Sequence, residues 1–191
     1  MALNEFGGYS ALEDACFMRQ ALAEAGKGAA KGEIPVGAVV VQDHEVIARG
    51  HNLREELQSV LAHAECLVIE EASRRLGRWR LADCQLYVTL EPCVMCVGVV
   101  VQARIDRLIF GCLDPKGGAV ESLYQLCNDD RLNHRLPVVG GVLAEDCSAT
   151  LGEFFSQLRQ KKRQRSKRGE AAEPTEGASR GTLSRSMKTR S

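Results

Sequence analysis

The sequence predicts an α/β protein with three α-β-α layers around a mixed five-stranded sheet. Two observations support this prediction: an apolar hairpin lies near the N-terminus, and beyond it strand-like and helix-like segments alternate without an internal repeat. A hairpin supplies antiparallel strands, whereas successive βα units supply parallel strands with helices on both faces. The 191 residues suffice for one such domain.

The first helix and the hairpin have clear local signals. Ser10-Ala11-Leu12-Glu13 is a capping-box pattern, and apolar residues then recur at three- and four-residue steps until Gly26 and Gly28. Residues 34–41 form an apolar run typical of a buried strand, and residues 46–50 return after a polar turn. The sequence therefore predicts a helix followed by a β-hairpin.

A helix, a strand and a second helix come next. A polar stretch leads into an amphipathic helical pattern over residues 62–76. Residues 85–90 alternate between two faces, as the residues of a strand do. Pro92 then begins a helix that reaches about Gln102. This order places two strand-to-helix transitions in the middle of the chain.

The C-terminal half repeats the alternation. An apolar strand over residues 108–111 is followed by a glycine-containing loop at 114–119 and a short helix around 123–127. The last strand is predicted over 138–142, and the last helix over 146–160 has its large apolar residues on one side. These elements complete the five strands of the predicted sheet.

Composition and charge indicate where the protein works. The N-terminus lacks a basic and apolar leader and no stretch could span a membrane, so we expect a cytoplasmic protein without membrane contact. Six of the eight cysteines are isolated in sequence and are interpreted as reduced thiols. Residues 160–191 carry 10 Lys and Arg against 3 Glu. We therefore expect a folded domain over 1–160 and a basic, disordered tail over 161–191.

Two short stretches carry the residues of a catalytic zinc site. His63-Ala64-Glu65 supplies an imidazole and a carboxylate, and Pro92-Cys93-Val94-Met95-Cys96 supplies two thiols. Ligands His63, Cys93 and Cys96 would leave the fourth tetrahedral position of one Zn²⁺ ion open for water. Cys93 and Cys96 lie on one helix face because they are three residues apart. His63 must then approach from the neighbouring helix.

The remaining carboxylate, Glu65, is suited to moving protons. Zinc lowers the pKa of a bound water from 15.7 toward about 7, which makes hydroxide available at neutral pH. Glu65 could accept the water proton and pass it to a ring nitrogen and then to a leaving amine. Such a site suits the hydrolytic loss of ammonia from an aromatic amidine.

Other interpretations of the motif explain less of the sequence. A Cys-x-x-Cys redox pair would leave His63-Ala64-Glu65 without a role. A structural zinc site needs a fourth ligand, yet the chain has no second Cys-x-x-Cys and no pair of closely spaced histidines. Among the remaining histidines, only His51 could compete as a ligand. The catalytic interpretation is therefore the stronger one.

Further stretches resemble the bacterial tRNA-specific adenosine deaminases of the cytidine deaminase-like superfamily. They are Glu33-Ile34-Pro35-Val36-Gly37-Ala38, Tyr87-Val88-Thr89-Leu90-Glu91, Asn133-His134-Arg135 and Gly141-Val142-Leu143-Ala144, beside the two zinc motifs. The resemblance covers about residues 10–160 and implies the cytidine deaminase-like fold. It also implies that zinc-activated water attacks C6 of the wobble adenosine in a tRNA anticodon, with Glu65 as proton shuttle, to give inosine.

The resemblance implies roles outside the zinc motifs as well. Asn52 would hold the target nucleoside, and Asp114 lies in a loop that contacts substrate RNA in the family. Phe154 and Phe155 match an aromatic pair on the last helix. For Asp114 and for this pair, a turn carboxylate and core aromatics are equally good interpretations. The family is a homodimer whose two subunits both contribute to binding the anticodon stem-loop.

One departure from the family pattern leaves the substrate open. Where the family has Asp-Pro-Thr-Ala before the ligand histidine, this chain has Ser59-Val60-Leu61-Ala62. A deaminase of a free nucleobase or nucleoside, of guanine or cytosine type, is therefore an alternative. A second alternative is a zinc-stabilised RNA-binding module without catalysis, whose basic tail supplies most of the affinity.

Overall fold

The computed structural model describes residues 8–167. The helices are α1 (Ala11–Ala30), α2 (Arg54–Leu57), α3 (Ala64–Leu76), α4 (Val94–Ala103) and α5 (Ala144–Lys167). The strands are β1 (Gly37–Gln42), β2 (Glu45–His51), β3 (Cys84–Leu90), β4 (Arg107–Cys112) and β5 (Val138–Val139). None of the helices in this described range is long and apolar enough to cross a membrane.

The five strands form one mixed sheet in the order β2-β1-β3-β4-β5. β1 pairs antiparallel with both β2 and β3, whereas β3 pairs parallel with β4 and β4 with β5. The hairpin thus supplies the antiparallel half and the βα units supply the parallel half. The predicted mixed five-stranded sheet is confirmed.

The helices cover both faces of this sheet. On one face, Val68 of α3 and Val100 of α4 pack against the side chains of alternate strand residues such as Leu86. On the opposite face, Met18 of α1 packs with Tyr87, the next residue of β3. Neighbouring residues of a strand point to opposite faces, so β3 is buried on both sides. This is the predicted three-layer arrangement.

Helix α1 begins as predicted but ends later. Ser10 and Glu13 form both hydrogen bonds of the capping box. The prediction that the helix stops at Gly26 and Gly28 was wrong, because α1 continues to Ala30. Gly28 instead serves packing: a Cβ there would lie 3.3 Å from the imidazole of His51. Its small size lets α1 approach the end of β2.

The structure changes several other element bounds. The predicted helix at 123–127 is a single 3-10 turn, Leu126–Asn128, and the last strand, predicted over 138–142, is only two residues long. In the first half of the chain, β1 begins at Gly37 rather than at residue 34. Backbone amides of Asp114, Val120, Glu121 and Ser122 bond to the side chain of Glu91. The loop over residues 114–122 is irregular because these backbone amides bond to a side chain instead of to one another.

Helix α5 is longer than the predicted 146–160. It runs from Ala144 to Lys167, so residues 161–167 of the predicted tail are helical. Residues 158–167 form part of a unit distinct from the main body, and their ionisable side chains are all Lys or Arg. The prediction of disorder for 168–191 lies outside the described residues.

Candidate active site

The three predicted metal ligands lie where two helices begin on the same face of the sheet. His63 is the N-cap residue of α3, Cys93 is the N-cap residue of α4, and Cys96 follows in the first turn of α4. Neither N-cap side chain makes a capping hydrogen bond to its own helix. The imidazole and the thiol therefore stay available as ligands.

The distances among these ligand atoms fit one tetrahedral zinc ion. Nδ1 of His63 lies 3.8 Å from Sγ of Cys93 and 3.4 Å from Sγ of Cys96. The two sulfurs are 3.7 Å apart. Tetrahedral Zn²⁺ with usual bond lengths would separate two sulfurs by about 3.8 Å, and a sulfur and a nitrogen by about 3.6 Å. The residues therefore fit the metal through Nδ1 and two thiolates.

Local electrostatics favour the thiolate form of Cys93. Hydrogen bonds from Cys96 and His63 lower the pKa of the Cys93 thiol to about 3, although burial opposes this change. The N-termini of α3 and α4 add positive dipole ends next to the sulfurs. The thiolate is the form that binds metal. Cys93 is thus prepared to bind a cation.

Glu65 lies in the first turn of α3, two residues after His63, and only 4% of it is exposed. Burial raises the pKa of its carboxyl group. A carboxyl group with a raised pKa can accept a proton from water and return it near neutral pH. Glu65 therefore has the properties of a general acid and base.

A cavity of about 170 Å³ opens in front of these residues. Its lining includes the side chains of Asn52, Arg54, His63, Glu65, Cys93 and Asp114. This volume is well below that of pockets for drug-sized ligands, which start near about 300 Å³. The cavity is therefore of a size for a small ring system.

Asn52 enters the cavity from the end of β2, and it is 5% exposed. Its backbone N–H donates to the carbonyl of Val36 at 2.9 Å. Its Nδ2 donates to Oε2 of Glu33 at 3.0 Å. Both the backbone and the side chain of Asn52 are thus held by the segment that leads into β1.

Asp114 reaches the cavity because Glu91 holds its loop. Glu91 is 2% exposed, and its carboxylate accepts backbone N–H bonds from Asp114 and Val120. It also accepts bonds from Glu121 and from both the backbone and the hydroxyl of Ser122. Burial alone would raise the pKa of Glu91, but these hydrogen bonds lower it to about 2. Glu91 therefore remains ionised.

The aromatic pair lies elsewhere. The rings of Phe154 and Phe155 meet edge to face with their centroids 5.5 Å apart on α5. Phe155 is 38% exposed, and neither ring lines the cavity. The structure thus brings Asn52 and Asp114 to the predicted metal cluster, but not the two phenylalanines.

The loop that departs from the family pattern lies directly before His63. Val60 and Leu61 are 71% and 63% exposed. The carbonyl of Ala62 accepts the backbone N–H of Leu53, which follows Asn52. The departure therefore places two aliphatic side chains on the surface close in sequence and in space to the cavity residues.

Sequence reasoning missed four residues of this region. Glu33 and Glu91 lie in stretches that carry the family resemblance, but the pattern assigned them no role. Arg54 lines the cavity and is exposed. Cys66 was interpreted as an isolated thiol, yet its sulfur lies 3.8 Å from that of Cys96. The one sequence signal for these two residues is proximity: Cys66 lies three positions after His63, and Arg54 lies two positions after Asn52.

Comparisons with known proteins agree with this geometry. The model of the MafB19-like deaminase family matches residues 12–159, which include the metal cluster and every cavity residue named above. The tRNA-specific adenosine deaminase of Bacillus subtilis (strain 168) is 52% identical over 151 residues, covering 79% of this chain and 94% of the relative. The enzyme of the same name from Streptococcus pyogenes serotype M1 is 50% identical over 155 residues, covering 81% and 91%.

A solved structure is similar as well. It comes from biochemical and structural studies of A-to-I editing by tRNA:A34 deaminases at the wobble position of transfer RNA. It superposes with a TM-score of 0.69 at 45% identity, covering 71% of this chain and 99% of that chain. The similarity therefore extends to the fold and to nearly the full length of that protein.

Proposed function

The chain belongs to the MafB19-like deaminases and to the tRNA-specific adenosine deaminases, and we propose that it deaminates the wobble adenosine of a tRNA anticodon to inosine. One observation carries the chemical part of this proposal. The His63, Cys93 and Cys96 ligand atoms have the separations of a three-ligand zinc site, and the buried Glu65 follows His63. The relatives supply the substrate.

The chemistry divides between the metal site and the neighbouring side chains. Zinc held by His63, Cys93 and Cys96 would act as a Lewis acid that lowers the pKa of a water molecule toward about 7. Glu65 is placed to move both protons of the attacking water in turn: it transfers the first to the ring nitrogen beside C6 and the second, from the resulting hydroxyl group on C6, to the leaving amine. Ammonia departs, and the base becomes hypoxanthine.

Asn52 and Asp114 contribute to binding rather than to proton transfer. The amide of Asn52 offers hydrogen bonds to the edge of a base in the cavity. Asp114 presents a carboxylate on the loop held by Glu91. A base can fill this small cavity only when it leaves its stack, as in nucleic-acid deaminases, of which the tRNA adenosine enzymes are a known example.

Binding of the surrounding RNA needs cations and stacking surfaces. Arg54 lines the cavity with an exposed side chain suited to a phosphate next to the target base. The exposed Val60 and Leu61 offer apolar contact to a neighbouring nucleotide, and Phe154 and Phe155 offer aromatic faces. The basic residues of the tail, 161–191, provide an electrostatic arm for tRNA. Because tRNA is the substrate in this proposal, the cytoplasm is the proposed site of action.

The exposed face of α4 is suited to a second copy of the chain. Trp79, Met95, Gly98 and Val99 line an apolar groove of about 480 Å³ there, and Trp79 is 58% exposed. Large exposed apolar patches commonly mark protein interfaces. We therefore include a homodimer in the proposal, in accord with the family resemblance.

The direct test uses purified protein and an anticodon stem-loop with adenosine at the wobble position. Inosine at that position, with free adenosine, guanine and cytosine turned over at least about 100-fold less efficiently, is the expected result. Equal turnover of a free base would reject tRNA as the substrate. Inosine at other adenosines of the loop would reject the wobble position.

Glu65→Ala separates catalysis from metal binding. The variant should keep its zinc and lose about 100- to 10,000-fold in rate, since general acid–base catalysis contributes that much. Retention of zinc together with most of the rate would reject the proton-transfer role of Glu65. Wild-type protein with bound zinc is the control for both measurements.

Deletion of residues 161–191 tests the arm. Each phosphate contact that is lost should make the logarithm of the affinity for tRNA less dependent on the logarithm of salt concentration. An unchanged slope would show that this segment does not contact RNA. The rate on a minimal stem-loop should change little, because the cavity lies outside the deleted segment.

A further inference from the structure

The buried carboxylate of Glu33 holds the residues around the cavity without lining it. It is 1% exposed. Its Oε2 accepts Nδ2 of Asn52 at 3.0 Å, and its Oε1 accepts the backbone N–H of Glu56 at 2.8 Å. One carboxylate therefore joins two cavity-forming segments, the residue that follows β2 and the short helix α2.

The contact with Glu33 is compatible with only one orientation of the Asn52 side-chain amide. A side-chain amide can lie in two orientations that exchange its oxygen and its nitrogen. If the amide of Asn52 were rotated, its Oδ1 would face Oε2 of Glu33, and two acceptors would meet at hydrogen-bond distance. A carboxylate can only accept, so Glu33 selects the orientation with Nδ2 toward itself.

The selected orientation determines what Asn52 offers to a base. Its Oδ1 and the second hydrogen of Nδ2 remain for the cavity, as an acceptor beside a donor. Asparagine uses this pair of groups toward the N6 and N7 edge of adenine in nucleic-acid complexes. Exchange of the two groups would present the wrong order to the same edge.

We propose that Glu33 is a positioning residue for base recognition, which acts through Asn52 by fixing the orientation of its amide. The inference rests on the proposed function, because the base it concerns is the target adenine. Glu33 itself does not contact that base. The effect of Glu33 on base recognition should therefore disappear when Asn52 is absent.

A double-mutant cycle on the anticodon stem-loop tests this dependence. Glu33→Ala should lower kcat/KM by about 10- to 100-fold, the usual effect of losing a hydrogen bond to a charged group. Asn52→Ala should lower it at least as much. In the Asn52→Ala background, Glu33→Ala should add less than about 2-fold. Two independent effects that multiply would overturn the inference.

Two further readouts separate positioning from general support of the fold. Glu33→Ala and Asn52→Ala should change the same kinetic parameter, kcat or KM, in similar proportion, and both variants should keep their zinc. A loss of zinc in Glu33→Ala alone would overturn the inference, because it would show a wider structural role.

Two more variants complete the design. Glu33→Gln keeps one acceptor oxygen for the two donors, Nδ2 of Asn52 and the backbone N–H of Glu56. Its kcat/KM should lie between those of wild type and Glu33→Ala, so this variant preserves the test if the alanine variant does not fold. Glu56→Gln is the matched control. It removes the charge that pairs with Lys31 at 2.9 Å but leaves the backbone N–H that Glu33 contacts, so kcat/KM should stay within about 2-fold of wild type.

The outcomes for the two proposals are distinct. A wild-type protein that forms no inosine would reject the proposed function. Wild-type inosine formation together with uncoupled effects of the two substitutions would reject only the role of Glu33.

Discussion

The carboxylate of Glu91 accepts the backbone N–H of Asp114 at 2.9 Å, across the gap between the end of β3 and the loop after β4. Only Pro92 separates Glu91 from the ligand Cys93. The backbone continues the connection, because the carbonyl of Pro92 accepts the N–H of Ala119 at 2.9 Å. The predicted metal ligands and the loop of Asp114 therefore share one anchoring point.

Glu91 makes the stability of the protein depend on pH in the acid range. Its pKa falls from about 4.5 to about 2 on folding, so the folded state favours the ionised form. The stabilisation is complete above about pH 4.5 and disappears as pH falls toward about 2. Glu91→Gln should cost about 1–3 kcal/mol at pH 7, and the difference from wild type should shrink below about pH 4. Urea unfolding at several pH values measures both effects, and a difference that is constant with pH would contradict this account.

Gly118 provides the space that Glu91 needs. A Cβ at Gly118 would clash with the carboxylate of Glu91, whereas a Cβ at Gly26 would have no atom within 4 Å. Gly118→Ala should therefore destabilise the protein by about 1–3 kcal/mol and lower activity. Gly26→Ala, inside α1, is the control and should stabilise it by about 0.5–1 kcal/mol. Equal melting temperatures for the two variants would show that the loop can shift to admit the methyl group.

Substitution of Cys66 tests whether three or four residues form the proposed metal site. Its sulfur is 3.8 Å from Cys96, but it is not part of the cluster formed by His63, Cys93 and Cys96. Cys66→Ser should keep one zinc ion per chain and most of the activity, whereas Cys96→Ser should lose both. Elemental analysis of the purified variants measures the zinc content. A zinc-free Cys66→Ser protein would mean that four residues hold the ion.

Trp79 reports on the proposed dimer because it is the single tryptophan of the sequence. Val99→Lys places a charge in the groove beside Trp79 and should give a monomer in sedimentation velocity, with tryptophan emission at longer wavelength. Leu12→Lys, on an exposed position of α1, is the control and should remain dimeric. A monomeric wild-type protein at micromolar concentration would reject the α4 interface.

The hydrophobic pattern was sufficient to predict the layers and most elements. Strand residues such as Val39 and Leu86 lie in the core, as the apolar pattern predicted. The metal motif needed only spacing, because two cysteines three residues apart lie at the start of one helix and His63 lies at the start of the neighbouring helix. The predictions failed where side chains organise the backbone. The loop after Asp114 follows hydrogen bonds to Glu91, and no periodicity records them.

Polar pairs between residues distant in sequence could not be predicted either. Arg107 is 1% exposed and donates to both carboxylate oxygens of Asp14, at 2.8 and 2.6 Å. Ninety-three positions separate the two residues. Nothing in the local pattern of either residue indicates its partner, since both would ordinarily be assigned to the surface. The contact between Glu33 and Asn52 could not be predicted for the same reason, because no local pattern indicates the partner of either side chain.

If zinc binds as proposed, the single residue between Glu91 and Cys93 would link zinc affinity to the order of the loop of Asp114. Zinc that holds Cys93 in place would also oppose opening of the loop that Glu91 holds. Because a coupling free energy is reciprocal, opening of that loop would weaken zinc binding by the same amount. Chelation would then inactivate the protein by two routes at once, loss of the Lewis acid and loss of an ordered rim.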